Sequence, residues 1–188
     1  TCGNCEISSV EESLAPYRVV PELYPDATED LVEKHISWMV PHYMDADTRK
    51  MLFSFKSFLI RTERLTILVD ACIGNDKDRP GRPHWHRQNW PYLANLAAAG
   101  VRPEEVDIVM CTHLHIDHVG WNTQLKDGRW TPTFPNARYV FAKAEYDHWQ
   151  TMLGQSEVGD NVFNDSVLPV MEAGQADLVA MDHEIDRG

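Results

Sequence analysis

The sequence predicts an α/β fold built in layers, and three observations carry that expectation. From Met51 onward, segments with the period-two pattern of strands alternate with segments patterned as helices. "VDIVMCT", residues 106–112, is a nearly unbroken apolar run of the kind a parallel sheet buries on both faces. "MLFSFKSFLIRT" and "LTILVDACIG" are joined by a short "ER" turn and read as a hairpin ending at Asp70 and Gly74.

The remaining elements follow in order. Residues 1–50 are rich in proline, acidic and aromatic residues and show little periodicity. A short helix is expected around Thr28–His35, capped by Thr28 or Asp26. After the hairpin, "NDKDRPGRPHWHRQNWP" is a polar loop broken by proline and glycine. "YLANLAAAG" is a helix stopped by Gly100, and it leads into the buried strand at 106–112. "NTQLKDGRWTPTFPN" reads as a turn-rich loop, "ARYVFA" as a strand and "KAEYDHWQTM" as a helix. "NDSVLPVMEAG" suggests one more short helix interrupted by Pro169, and "DLVAMD" a final strand. The 188 residues are read as a single domain, with 1–50 as an extension plus first elements and 51–188 as the half that carries the site.

Composition narrows the function. A formal net charge of -12 with no Lys/Arg cluster argues against a nucleic-acid partner. No apolar run approaches the roughly 20 residues of a membrane span. Cys72 and Cys111 lie in apolar runs and read as reduced core residues, while Cys2 and Cys5 have C-x-x-C spacing without a second ligand pair. Reduced-looking cysteines suit a cytoplasmic protein; because the first residue is Thr1 rather than Met, export stays open.

The chemistry is concentrated in "CTHLHIDHVGW", residues 111–121. His113 and His115 lie two apart just beyond a strand end, so in extended backbone they point the same way and converge on one ion. A turn into helix would swing Asp117 and His118 toward a second position. Imidazole nitrogens with one carboxylate suit zinc, iron, manganese or cobalt rather than calcium or magnesium. His84-Trp85-His86 copies the H-x-H spacing but lies in a Pro/Arg-rich loop and reads as solvated. Trp85, Trp90 and Trp121 are candidates to line a substrate pocket, with ordinary packing as the alternative.

"HLHIDH" matches the H-x-H-x-D-H signature of the metallo-β-lactamase superfamily, and "LVDACIG" upstream is similar to that family's strand ending in Asp. With "PNARYVFAKAEYDHW", roughly residues 50–185 resemble the branch containing N-acyl homoserine lactonases and methyl-parathion-type hydrolases. The resemblance implies an αββα sandwich of two similar halves, of which this chain is mainly the first. It implies that His113 and His115 bind a first metal and Asp117 and His118 a second. Asp117 would also steer the attacking water, and Asp70 would orient a ligand. Two zinc ions per complete domain are expected, with iron, manganese or cobalt as alternatives.

The implied activity is hydrolysis of a small-molecule ester or lactone by activated water. Alternatives are a phosphotriesterase or β-lactam hydrolase on the same site, a single-iron persulfide dioxygenase, and an inactive truncated fragment. The family's later ligands have no counterpart downstream of His118, where His148 and His183 stand in other contexts; the chain is therefore expected to end before them. The exposed sheet face of a half-sandwich would favour a homo-oligomer.

Overall fold

The computed structural model describes residues 3–185. They fall into two compact units, Ser13–Phe55 and Thr1–Glu12 with Lys56–Gly188. Strand β1 (Glu6–Val19) enters both.

In the smaller unit, α1 (Val20–Leu23) and α2 (Glu29–Met39) follow β1. Thr28 caps α2, its hydroxyl accepting the Leu31 N–H at 3.3 Å, and Glu29 and Asp30 place acidic charge on the first turn. The helix runs beyond His35 to Met39 and stops ahead of Pro41, since the residue before proline disfavours helical backbone. Val20, Met39 and Met44 form a small core joined by Val32, Ile36 and Met51.

The larger unit contains most of the main sheet, and β2 like β1 enters both units. β2 (Lys50–Arg61) and β3 (Thr66–Val69) form the expected antiparallel hairpin, pairing Phe58 with Val69 and Arg61 with Thr66. β3 ends early because Asp70 takes a left-handed φ of 60°. Helix α3 (Tyr92–Ala98) buries Tyr92 and Leu96 and precedes β4 (Ile108–Met110), which is parallel to β3. β5 (Thr123–Lys126) and β6 (Arg129–Pro132) pair across Asp127-Gly128, both at positive φ. The sequence reads this region as a loop; Asp-Gly between the two runs is the hairpin signal, because a two-residue turn of the right twist needs positive φ twice.

β7 (Arg138–Ala142) is parallel to β4, and α4 (Lys143–Thr151) follows it. α5 (Glu157–Val162), a π-helical turn over Phe163–Val167 and α6 (Leu168–Glu172) replace the single interrupted helix. Pro169 sits in the first turn of α6, where no N–H is required, so it starts that helix rather than breaking it. β8 (Ala176–Val179) closes the sheet order β1-β2-β3-β4-β7-β8. The core includes Leu59, Leu68, Val109, Tyr139 and Phe141, all fully buried. Among the described residues no helix is long and apolar enough to cross a membrane.

β1 is the largest departure from the sequence expectation. Its inward positions include Val10 and Glu12, so one of the residues that should report burial is a carboxylate, and the apolar alternation is lost.

A buried ionic cluster anchors the loop after β3. Arg79 donates to both Asp165 oxygens, at 2.6 and 2.9 Å. Lys77 Nζ donates to Thr123 Oγ1 at 2.6 Å and to the Asp165 carbonyl at 3.0 Å, and lies 3.7 Å from the Trp130 ring centre. Burial lowers the Lys77 ammonium to about 7, Asp165 opposing and Arg79 adding to the shift. A lysine of the unfolded chain holds its proton to its ordinary 10.5, so between about 7 and that value the unfolded state binds more protons. Stability relative to a Lys77→Met variant is therefore expected to rise with pH across this window, by up to about 1.4 kcal/mol per pH unit, in urea unfolding followed from pH 6 to 10. A difference that stays flat with pH would show that Lys77 keeps its charge.

Candidate metal centre

The site is assembled at the carboxyl ends of β3 and β4, where α/β sheets commonly bind ligands. The left-handed turn at Asp70 sends its carboxylate across to β4. Asp70 Oδ1 accepts the Thr112 N–H at 2.8 Å, and the Thr112 hydroxyl lies 3.0 Å from both carboxylate oxygens. Asp70 Oδ2 also lies 2.9 Å from His118 Nδ1, at ion-pair distance but outside hydrogen-bond geometry. That contact leaves Nε2 as the outward face of the His118 ring, 3.8 Å from Asp117 Oδ2.

The three imidazoles are close together. His113 and His118 have ring centres 4.0 Å apart, and His113 and His115 4.6 Å. The Thr112 hydroxyl lies 3.1 Å from His113 Nδ1. His115 packs edge-on to Trp149 at 5.4 Å. Glu145, on α4, accepts the Leu114 N–H at 3.1 Å and the Trp149 indole N–H at 3.3 Å, so one carboxylate holds both the loop and the ring beside His115.

Burial, with His118 and His115 nearby, lowers the His113 pKa, while Asp70 and Asp117 pull weakly the other way. Burial alone would lower His118 too, but the Asp70 contact and the charges of Asp70 and Asp117 outweigh it and raise the value. Neutral imidazole with a free lone pair is the form that binds a metal, and the lowered His113 value favours it at that ring. Nitrogen donors beside a carboxylate thus fit a divalent transition ion. Among the described residues no three His, Cys, Asp or Glu side chains already close into a cage around one point.

The other residues singled out from the sequence lie elsewhere. Trp121 is 4% exposed, stacked on Tyr92 with ring centres 5.0 Å apart, and donates its indole N–H to Glu12. Its ring thus lies in the core rather than on an open pocket wall. Trp85 is buried with the Arg82 guanidinium 5.3 Å from its ring centre, and Trp90 is half-buried. His86 Nδ1 accepts the Arg79 N–H at 3.0 Å, tying its loop to the buried ionic cluster. His148 and His183 are exposed. Burial pushes the thiols of Cys72 and Cys111 well above their ordinary value, as suits inert core residues. Among the described residues Cys5, Cys72 and Cys111 are free thiols; Cys2 lies outside them.

Two residues around the site escape the sequence reading. Glu145 lies within a pattern that reads as an ordinary helix. Glu12 has no nearby motif at all, and only its inward position on β1 exposes its role.

Residues 56–183 match the family model of the metallo-beta-lactamase superfamily. The chain belongs to this superfamily. A comparison with curated proteins finds no match. Among solved structures, a probable metal-dependent hydrolase from Staphylococcus aureus aligns with a TM-score of 0.72 at 19% identity, covering 98% of this chain and 62% of that one. The hydrolase AbOPH of the beta lactamase superfamily aligns at 0.68 and 21% identity, covering 99% and 61%. AidC, a dizinc quorum-quenching lactonase in complex with a product, aligns at 0.63 and 16% identity, covering 96% and 60%. These likenesses show the superfamily's α/β sandwich fold. The chain spans about three-fifths of the length of these structures.

An Asp70→Asn variant removes the charge facing His118 and leaves burial to dominate. The His118 pKa is then expected to fall, in NMR titration of the imidazole signals of metal-free protein. An unchanged value would mean that Asp70 does not govern this ring.

Proposed function

We propose that the chain carries the principal metal-binding segment of a metal-dependent hydrolase that turns an activated water on an ester or lactone. The observation that supports this most directly is the packing of His113, His115 and His118 with Asp117 and Asp70 at the ends of two parallel strands. In this reading His113, His115, His118 and Asp117 hold the metal. Zinc is the first choice, at two ions in the complete domain, and iron, manganese or cobalt would suit the same donors.

Such an ion supplies Lewis-acid polarisation of the substrate's carbonyl oxygen and acidifies a water. The chain's own groups do the rest. Asp70 fixes the His118 ring by its Nδ1 edge and presents Nε2. Asp117, with its side chain 32% exposed, is open to solvent and accepts a hydrogen bond from the attacking water, which orients it. Thr112 ties Asp70, at the end of β3, to His113, after β4, so that the carboxylate and the ring keep their spacing.

An open, largely apolar hollow of about 260 Å³ lies beside Thr112, with Met110, Val140, Ala142, Val179 and Met181 on its walls. An apolar arm of a neutral substrate fits that chemistry, which favours an ester or lactone over a highly charged substrate. The dizinc lactonase among the structural neighbours is consistent with this choice.

The test loads the purified protein with Zn²⁺, Mn²⁺, Co²⁺ or Fe²⁺ and assays an N-acyl lactone, an aryl ester, a phosphotriester, a β-lactam and a persulfide. Hydrolysis of the lactone or ester is expected to lead. His115→Ala should lose bound metal and lower kcat/KM by more than the roughly 10- to 100-fold typical of an outer contact. Wild-type metal content and rate in that variant would overturn the ligand assignment. Iron-dependent oxygen consumption with the persulfide alone would overturn the hydrolase.

A further inference from the structure

The segment Asp70–Gly74 is unusual in its backbone. Asp70 and Cys72 both hold left-handed φ, 60° and 45°, although neither is glycine, and Gly74 follows at 83°. Each such non-glycine residue is strained and persists only where the surroundings over-determine it. Two sets of contacts do so here. The first is a backbone ladder to the turn after the histidine motif. Ala71 N–H donates to the His118 carbonyl at 2.7 Å, Gly120 N–H to Cys72 at 2.8 Å and Trp121 N–H to Ala71 at 2.6 Å.

The second is Glu12, 3% exposed. Its Oε1 accepts the Gly74 N–H at 2.8 Å and the Trp121 indole N–H at 2.7 Å, and its Oε2 accepts the Ile73 N–H at 3.1 Å. Three buried donors, from both sides of the ladder, thus end on one carboxylate. Without it the Ile73 and Gly74 amides would be buried without an acceptor, at the full desolvation cost of each N–H. Burial pushes the Glu12 carboxyl up to about 7 against the pull of these donors, with Asp117 adding to the rise.

We propose that Glu12 is a positioning residue of the metal centre: it clamps the strained loop after β3 onto the turn after the histidine motif and so fixes Asp70 against Thr112 and His118. It touches neither metal nor substrate and acts through Asp70. Its relevance to catalysis rests on the hydrolase reading above, but the clamp itself is read out without metal or substrate.

The test compares wild type with Glu12→Gln, whose amide oxygen replaces two acceptors with one and turns an NH₂ toward the donors. A second variant, Trp121→Phe, removes one donor and keeps a ring to stack on Tyr92. Val170→Ala, a core truncation in α6, controls for lost stability. Amide hydrogen exchange of the metal-free protein is followed at Ile73, Gly74 and Thr112, the last of which donates to Asp70 Oδ1. Glu12→Gln is expected to speed exchange at all three by tenfold or more, Trp121→Phe to do so more weakly, and Val170→Ala to leave their ratio to core amides unchanged. In competition with a chromophoric chelator, Glu12→Gln should also weaken Zn²⁺ binding by about 10- to 100-fold.

Thr112 protection equal to wild type in a folded Glu12→Gln protein would overturn the proposal, because Asp70 would then hold its place without the clamp. If Glu12→Gln does not fold, Trp121→Phe decides: unchanged Thr112 protection there overturns it equally. Faster Thr112 exchange in a protein whose wild type takes up no Zn²⁺ would sustain the clamp and defeat the metal reading separately.

Discussion

The structure depends on how closely the loop after β3 approaches the turn after the histidine motif. A Cβ on Gly120 would stand 1.8 Å from the Ile73 carbonyl oxygen, so no residue with a side chain fits there without moving backbone. On the other side of the contact, a Cβ on Gly74 would stand 2.7 Å from the Gly120 carbonyl carbon. Glycine at both positions lets two loops from different strands hydrogen-bond as if they were paired strands. That pairing sets the separation of Asp70 from His118, and with it the orientation of the imidazole.

Electrostatics follows from this geometry. The chain is acidic, at -12, yet its buried charges are few and bound to partners. Asp165 takes Arg79 and stands 3.6 Å from Lys77, while Glu12 takes three N–H donors. Each cluster sits where an irregular segment must be held without regular ladder bonds: the loop after β3 at one end, the π-helical turn at the other. The histidine cluster is the opposite case. His113 and His118 are half-buried and His115 is exposed, and the rings crowd one another with no buried partner among the described residues holding them as an ion cluster.

Much of this was legible in the residues themselves. The apolar run ending at Thr112 marks a parallel strand, though a shorter one than its length suggests: β4 spans Ile108–Met110 and buries only Val109, and "HLHIDH" follows it through bends and turns rather than extended backbone. The hairpin of β2 and β3 and the helices at Tyr92 and Lys143 follow from pattern and stop signals. β1 was not legible, because its inward face carries Glu12 where an apolar residue would signal burial. The β5–β6 hairpin was carried by a single dipeptide, Asp127-Gly128, inside an otherwise loop-like composition. Trp121 could not be told from a pocket wall, since its sequence neighbours say nothing of Tyr92 or Glu12.

The sequence by itself determined that three imidazoles and a carboxylate stand together: His113, His115, Asp117 and His118 lie within six positions, and no fold is needed to bring them near one another. Only the tertiary structure decided what holds them. Thr112, Glu145 and Glu12 come from a loop, a helix and a distant strand, and only Asp70, at a strand end, was already marked in the sequence. Local periodicity reports which face of an element is apolar, whereas a polar side chain aimed at a buried N–H more than a hundred residues away leaves no local trace. The Glu12–Trp121 bond, at a separation of 109 residues, is such a contact, and it exists only once the sheet has formed.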